Sequence, residues 1–340
     1  MLDKYLSFVA SNWLTAVFTL IVVMIILNYS TALLEEQLSL IGKKLKIPTS
    51  VRGATFDAMS SSLPELLTSL AWLIILKEKW LEVGIWTIWG SAIFNILIIP
   101  ALVLMFYTGQ KIKLSTRWVK RDSIFYILAI LIFIVGLYFW QLLYMAWALI
   151  FLYMVYVIYL YLQSRQHRQD NFEKVNQDYN SVKDKKVNFL ILLISLILIY
   201  VGVEASIVAA NFIWEKLHIS ILIVSLVLLA SLTSIPDTLL SIKSSKKWDI
   251  DAWLSNAVGS NIFDICIWLG LPLLIGILFL WLSPKVNFYD NVGVFIFLLI
   301  STIAYFFLMH KKTLSKKDSW ILFGLYFLFV VYLIFIAYFK

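Results

Sequence analysis

Residues 61–65 read Ser61-Ser62-Leu63-Pro64-Glu65, residues 233–237 read Thr233-Ser234-Ile235-Pro236-Asp237, and each run lies in the middle of an apolar segment. A carboxylate in such a segment is costly unless something satisfies it, so an acid there marks a functional position. The neighbouring proline has no N–H and pushes away the carbonyl four residues back, Ser60 in the first run, so a helix through the stretch must kink or break. In lipid, the freed oxygen needs another partner. On a helix Ala58, Ser61, Ser62 and Glu65 share one side, and Ala230, Thr233, Ser234 and Asp237 repeat the arrangement. Carbonyls, hydroxyls and a carboxylate converging in this way are hard donors, suited to sodium or calcium and not to zinc or copper. Two half-sites of this kind predict one whole site.

The surrounding composition is that of a polytopic membrane protein: 340 residues, 62% hydrophobic and only 14% charged, with mean hydropathy +0.90. Its single cysteine, Cys266, lies in an apolar run, so there is neither a disulfide framework nor a redox pair. The histidines, His167, His218 and His310, fall at loops or helix ends, which weakens a metalloenzyme reading. The first apolar run, near residues 11–34, is too long for a signal peptide and shows no small-residue cleavage pattern, so it reads as the first span.

Apolar runs of about 20 residues predict an all-α protein of ten transmembrane helices near 11–42, 50–76, 83–108, 122–141, 143–164, 187–215, 219–243, 249–281, 291–310 and 319–339. With the N-terminus outside, the five loops on one side and the helix ends beside them hold 22 of the 28 Lys and Arg residues. A wrong span count would mix the two populations, so this split predicts both termini outside, the basic loops in the cytoplasm and an integral, inner or plasma membrane protein. The net charge of +8 is therefore topological and does not indicate a nucleic-acid partner. Residues 165–186 form the one long polar break. At this length it is too short for a folded regulatory domain, so it reads as a solvated cytoplasmic linker between 1–164 and 187–340.

The two halves echo each other. Residues 53–102 carry GATFDAMSSSLPELLTSL, a charged turn, and IWTIWGSAIFNILIIPAL; residues 225–275 carry SLVLLASLTSIPDTLLSI, a charged turn, and WLSNAVGSNIFDICIWLGLPLL. Five spans separate the copies, so the second must enter from the opposite face, giving two inverted five-helix repeats with a site near mid-membrane. In Gly90-Ser91-Ala92-Ile93-Phe94-Asn95 and Gly259-Ser260-Asn261-Ile262-Phe263-Asp264 the serine and the final residue share a helix face, and the glycine admits a close backbone approach. Glu65, Asp237 and Asp264 have no Lys or Arg in the central parts of these spans. Burying them bare would cost several kcal/mol each, so protons or cations must neutralise them.

These repeats resemble the alpha repeats of the calcium/cation antiporter superfamily and its sodium/calcium exchangers. SSLPELLTS, GSAIFNIL, TSIPDTLLS and AVGSNIFDI followed by GLPL are closest to the potassium-dependent branch. The resemblance implies that spans two, three, seven and eight hold the ions while spans one and six slide across them. It implies calcium at Glu65 and Asp237 with backbone oxygens of Ser61 and Thr233, and sodium at Ala58, Ala230, Ser62, Ser234, Ser91, Ser260, Asn95 and Asp264. An Asp at 264 accompanies potassium dependence in the family and also occurs in prokaryotic relatives, which leaves potassium open. No resident cofactor is implied; the partners are inorganic cations and the lipid bilayer.

Three departures stand out: Asp237 is shorter than the glutamate of many relatives, Ser60 and Leu232 replace a usual glycine, and Asp57 replaces an apolar residue. Asp57 reads either as an extra cation or proton ligand or as a residue facing the cytoplasmic water funnel. Glu35, Glu36 and Glu204 read as hydrated gating or packing groups. Trp13, Trp80, Trp118, Trp140, Trp214, Trp248 and Trp281 read as interfacial anchors, Trp86 and Trp89 as packing, and Pro100 and Pro272 as shapers of helix ends. A proton/calcium exchanger of the same fold would carry a G-N-x-x-E type motif, which is absent. An intramembrane aspartyl protease needs G-x-G-D, also absent, although Pro100-Ala101-Leu102 looks like another of its motifs. A channel would need a filter loop, and none is evident.

Overall fold

The computed structural model describes residues 12–76, 80–107, 112–113, 116–166, 168–217, 223–246, 250–283, 286, 288–311 and 313–339. The described chain is almost wholly helical. Helix α1 (Trp13–Lys44) starts at Asn12, whose side chain accepts from the Thr15 N–H while Thr15 returns the bond, and ends on Lys43 and Lys44 at the negative pole of its dipole.

A first broken segment follows: α2 (Thr49–Arg52), a wide π turn over Gly53–Asp57, α3 (Ala58–Ser61) and α4 (Leu63–Leu76). Then come α5 (Trp80–Phe106), β1 (Ile112–Lys113), α6 (Thr116–Tyr138), α7 (Leu142–Gln166), α8 (Arg168–Val182) and α9 (Phe189–Leu217). A second broken segment comprises a π turn over Val224–Leu229, α10 (Ala230–Thr233) and α11 (Ile235–Lys246). The chain closes with α12 (Ile250–Phe263), a π turn over Asp264–Trp268, α13 (Gly270–Leu278), α14 (Phe288–Met309), β2 (Thr313–Leu314) and α15 (Lys316–Phe339).

Eight of the described helical runs are long and apolar enough to cross a membrane. Their burial separates an inner from an outer layer: 78% of the apolar window of α5 and 72% of that of α12–α13 is buried, against 33% for α1 and 22% for α15. The outer helices present Phe18, Ile25, Phe189, Ile197 and Phe327 outward, the large apolar exposure that only lipid tolerates. Helix α1 packs along α9, α15 packs on α5, and the two broken segments lie between α5 and α12.

Loops that the charge pattern places on one side do meet there. Strands β1 and β2 pair antiparallel, Ile112 opposite Leu314, tying the loop after α5 to the loop after α14. The 165–186 stretch is more than a solvated linker: α8 docks on the end of α1, because its charges find partners. Arg52 Nη1 meets Asp178 Oδ2 at 3.1 Å, Lys44 Nζ donates to the Lys183 carbonyl at 3.3 Å, and the Lys46 ammonium lies 4.6 Å from the Tyr179 ring centroid. Pro272 stands in the first turn of α13, where its missing N–H costs little, but Pro100 lies inside α5, which continues to Phe106. It therefore does not shape a helix end.

Trp140 and Trp281 are exposed at the ends of α6 and α13, as anchors at an interface would be. The side chains of Trp13, Trp80, Trp118, Trp214 and Trp248, and all of His167 and His218, lie outside the described residues. Trp86 donates to Asn291 at 2.6 Å and Trp89 packs on Phe133 and Phe295, both inside the core.

Candidate ion site

Both acid–proline runs break their helices at the same register. In the first, Ser62 (φ −89°, ψ 5°) leaves helical geometry and α4 restarts at Leu63, one residue before Pro64; in the second, Ser234 (φ −81°, ψ 0°) does the same before Ile235 and Pro236. Pro64 and Pro236 have no N–H for the carbonyls four residues back, Ser60 and Leu232, so a discontinuity just upstream of each proline follows from the sequence. The π turns just upstream widen both segments further and had no signal in the sequence. Each break places an acid in the first turn of the restarted helix, Glu65 on α4 and Asp237 on α11, at the positive pole of its dipole.

Gly90 brings the halves together. A Cβ on Gly90 would fall onto the Leu226 carbonyl oxygen and lie 2.7 Å from Ala230 Cβ, so only glycine lets α5 cross the second π turn this closely. The crossing sets Ser91 Oγ 2.8 Å from Ser234 Oγ, and Ser61 Oγ lies 3.4 Å from Ser260 Oγ. Asp237 accepts from Ser260 Oγ at 3.1 Å and from Asn95 Nδ2 at 3.3 Å. Ala58, Ser61, Ser62, Glu65, Ser91, Asn95, Ala230, Thr233, Ser234, Asp237, Ser260 and Asp264 are all buried around this junction of α3, α4, α5, α10, α11 and α12.

The acids fare unequally. Glu65 is 0% and Asp264 1% exposed, and each lies within electrostatic reach of Asp237. Thr233 sits beside Glu65 and Ser62 beside Asp264, yet all four carboxylate oxygens and the Ser62 hydroxyl fall short of hydrogen-bond geometry with any described group. The ion pairs among the described residues, Arg52–Asp178, Arg121–Asp122 and Lys311–Asp318, engage none of these acids. Negative charge at this depth without a basic partner calls for a cation or a proton. Among the described residues no three His, Cys, Asp or Glu side chains form a compact metal-ligating group. Hydroxyl, amide and main-chain oxygens must therefore complete any cation shell. The Ala58 carbonyl accepts from Ser62 N–H at 3.0 Å and Ser61 Oγ at 3.1 Å, and the Ala230 carbonyl accepts from Ser234 N–H at 3.1 Å and Thr233 Oγ1 at 3.2 Å.

Two contributors escaped the sequence reading. Asn261, in the third place of the second glycine–serine motif, accepts from Asn95 Nδ2 at 3.0 Å and donates to the Ala92 carbonyl at 3.0 Å and to Tyr126 Oη at 3.2 Å. The available signal was the difference between the motifs, Ala92 in one and Asn261 in the other. Tyr126, on α6, had no local signal.

Asp57 stays outside the junction. It lies at the end of the first π turn with Arg52 and Lys43 as its charged neighbours, at the basic end of the molecule, and its main-chain oxygen accepts from Ser60 and Ser61. A cavity of about 310 Å³ runs from Ser61 past Pro236 to Asn28, Thr31 and Glu35 of α1. A second, of about 440 Å³, shares Ala32 and Glu35 with it and continues past Lys43 to Val182 and Lys185 beside α8. Together they make a passage from the basic end to the junction, with Glu35 and Glu36 on its wall. Glu204 lies half-buried on α9.

Similar proteins share this architecture. A family described as sodium/calcium exchanger protein matches residues 15–165 and 187–335. The sodium/potassium/calcium exchanger 3 of Rattus norvegicus is 40% identical over 121 residues, 34% of this chain and 18% of that protein. The match thus spans about a fifth of the length of that curated relative. Among solved structures, the H+/Ca2+ exchanger CAX superposes with a TM-score of 0.69 at 12% identity, over 98% of this chain and 91% of that one. The sodium-calcium exchanger NCX_Mj, soaked with both ions, gives 0.64 at 21% identity over 93% and 97%.

Proposed function

The chain belongs to the sodium/calcium exchanger protein family, and from that premise we propose that it is a secondary antiporter exchanging sodium for calcium across the membrane by alternating access. The carrying observation is the pair Glu65 and Asp264, buried, unpaired and within reach of Asp237.

Counting the two broken segments, 49–76 and 224–246, with the eight long apolar helices gives ten spans. We read them as two inverted repeats of five, 1–164 and 187–340, joined by 165–186. The matching breaks at Ser62 and Ser234 and the reciprocal contacts between the motifs support this reading. The basic loops meet at one end of the molecule, which supports their cytoplasmic placement with both termini outside, in the inner or plasma membrane.

As cargo, calcium takes Glu65 and Asp237 together with main-chain oxygens of Ser61 and Thr233. Sodium ions take Ser62, Ser91, Ser234, Ser260, Asn95, Asp264 and the Ala58 and Ala230 carbonyls. One divalent ion and several monovalent ions satisfy the same acids, and without either the bare carboxylates resist enclosure. A loaded junction can change sides; an ion-free one stays open, so exchange outruns leak. The passage beside α8 supports a site open toward the basic end. Asp264 is the residue on which potassium co-transport would turn.

Calcium flux into proteoliposomes, with sodium, potassium and proton gradients imposed separately, tests the assignment. Uptake should follow an opposing sodium gradient and vanish in Glu65→Gln. Uptake driven by a proton gradient alone would replace sodium with protons, and conduction without any gradient would indicate a channel.

A further inference from the structure

The two glycine–serine motifs differ in polarity at two places, and the structure couples the differences. Asn95 stands opposite Asp264 in the repeat, and Ala92 stands opposite Asn261. Asn261 Nδ2 donates to the Ala92 carbonyl, so its Oδ1 must face away and can only accept. It accepts from Asn95 Nδ2, which also reaches Asp237 Oδ2. Turning either amide over would set oxygen against oxygen, at the Ala92 carbonyl or at Asp237. Asn95 Oδ1 is thereby aimed the other way, buried and with no described partner. The remaining proton of Asn261 Nδ2 goes to Tyr126 Oη.

Tyr126 is fully buried and lies beside Thr302 of α14, whose Oγ1 falls short of hydrogen-bond geometry with any described group. The first repeat has no counterpart of this chain, since a carboxylate such as Asp264 presents oxygen whichever way it turns.

We propose that Tyr126 is a positioning residue for sodium: through Asn261 it holds the Asn95 amide with its oxygen presented to the ion. This rests on the exchanger reading above. A monovalent ion depends more on neutral oxygens than does a divalent ion held by carboxylates, so loosening Asn95 should weaken sodium selectively.

The test uses the full-length purified protein and its Tyr126→Phe and Thr302→Val variants. Sodium and calcium titrations of thermal stability are run alongside flux in proteoliposomes. Losing one buried hydrogen bond should raise the half-saturating sodium concentration about three- to tenfold in Tyr126→Phe, with calcium moving less than about twofold. Thr302→Val should shift sodium in the same direction by less, and this variant carries the test should Tyr126→Phe fail to fold. In an Asn95→Asp background, where no amide needs orienting, Tyr126→Phe should add nothing to the sodium midpoint. Unchanged ion midpoints in both variants, or a lowered melting temperature with unchanged midpoints, would overturn the role. A parent protein that responds to neither ion would overturn the exchanger reading instead.

Discussion

Glu65 and Asp237 hold equivalent places in their repeats, yet Asp237 receives Ser260 and Asn95 while Glu65 receives no described donor. Glu65→Gln keeps the shape and removes an uncompensated charge. The expected outcome is loss of calcium exchange in flux assays, with a melting temperature in ion-free buffer at or above that of the parent. Gly90→Ala acts by sterics alone, because the new Cβ would meet the Leu226 carbonyl. Overpacking of this kind costs about 1–3 kcal/mol, so thermal unfolding should show a clear destabilisation and the Ser91–Ser234 contact should open. Both effects were foreshadowed by residue types in the sequence, since an acid beside proline and a glycine beside serine each have a local physical meaning.

Among the elements, α8 departs furthest from its expected form. Arg52 is 6% exposed, and its guanidinium has two acids near it, Asp178 at 3.1 Å on α8 and Asp57 on its own broken segment. The Asp178 side chain is 33% exposed, which holds the pair to about 1 kcal/mol by itself. Asp178→Asn should therefore barely move the melting temperature. It should free the wall of the passage at Val182 and Lys185 and change the maximal exchange rate without changing the ion midpoints. Equal rates for variant and parent would leave α8 a passive connector. Composition alone reads this stretch as solvated because its partners, Lys44, Lys46 and Arg52, lie more than a hundred positions away.

For the molecule as a whole, the passage predicts sidedness. Cys266 is fully buried, so single cysteines placed on the passage wall report against a quiet background. Ser39→Cys should react with a membrane-impermeant thiol reagent applied from the α8 side and not from the other, and sodium or calcium should alter its rate. Reaction from the opposite face would reverse the proposed orientation. The sequence by itself determined the membrane character, the acid–proline breaks, the glycine–serine motifs and the residues that bury there. Hydropathy, proline geometry and the cost of a bare charge are properties of neighbours along the chain. Only the tertiary structure decided which oxygens are spent and which remain. The partners Asn95 and Asn261 are 166 positions apart, Asn261 and Tyr126 are 135 apart, and which hydrogen bonds form is set by how the helices cross. No local rule encodes that crossing, because it depends on the packing of all the helices at once.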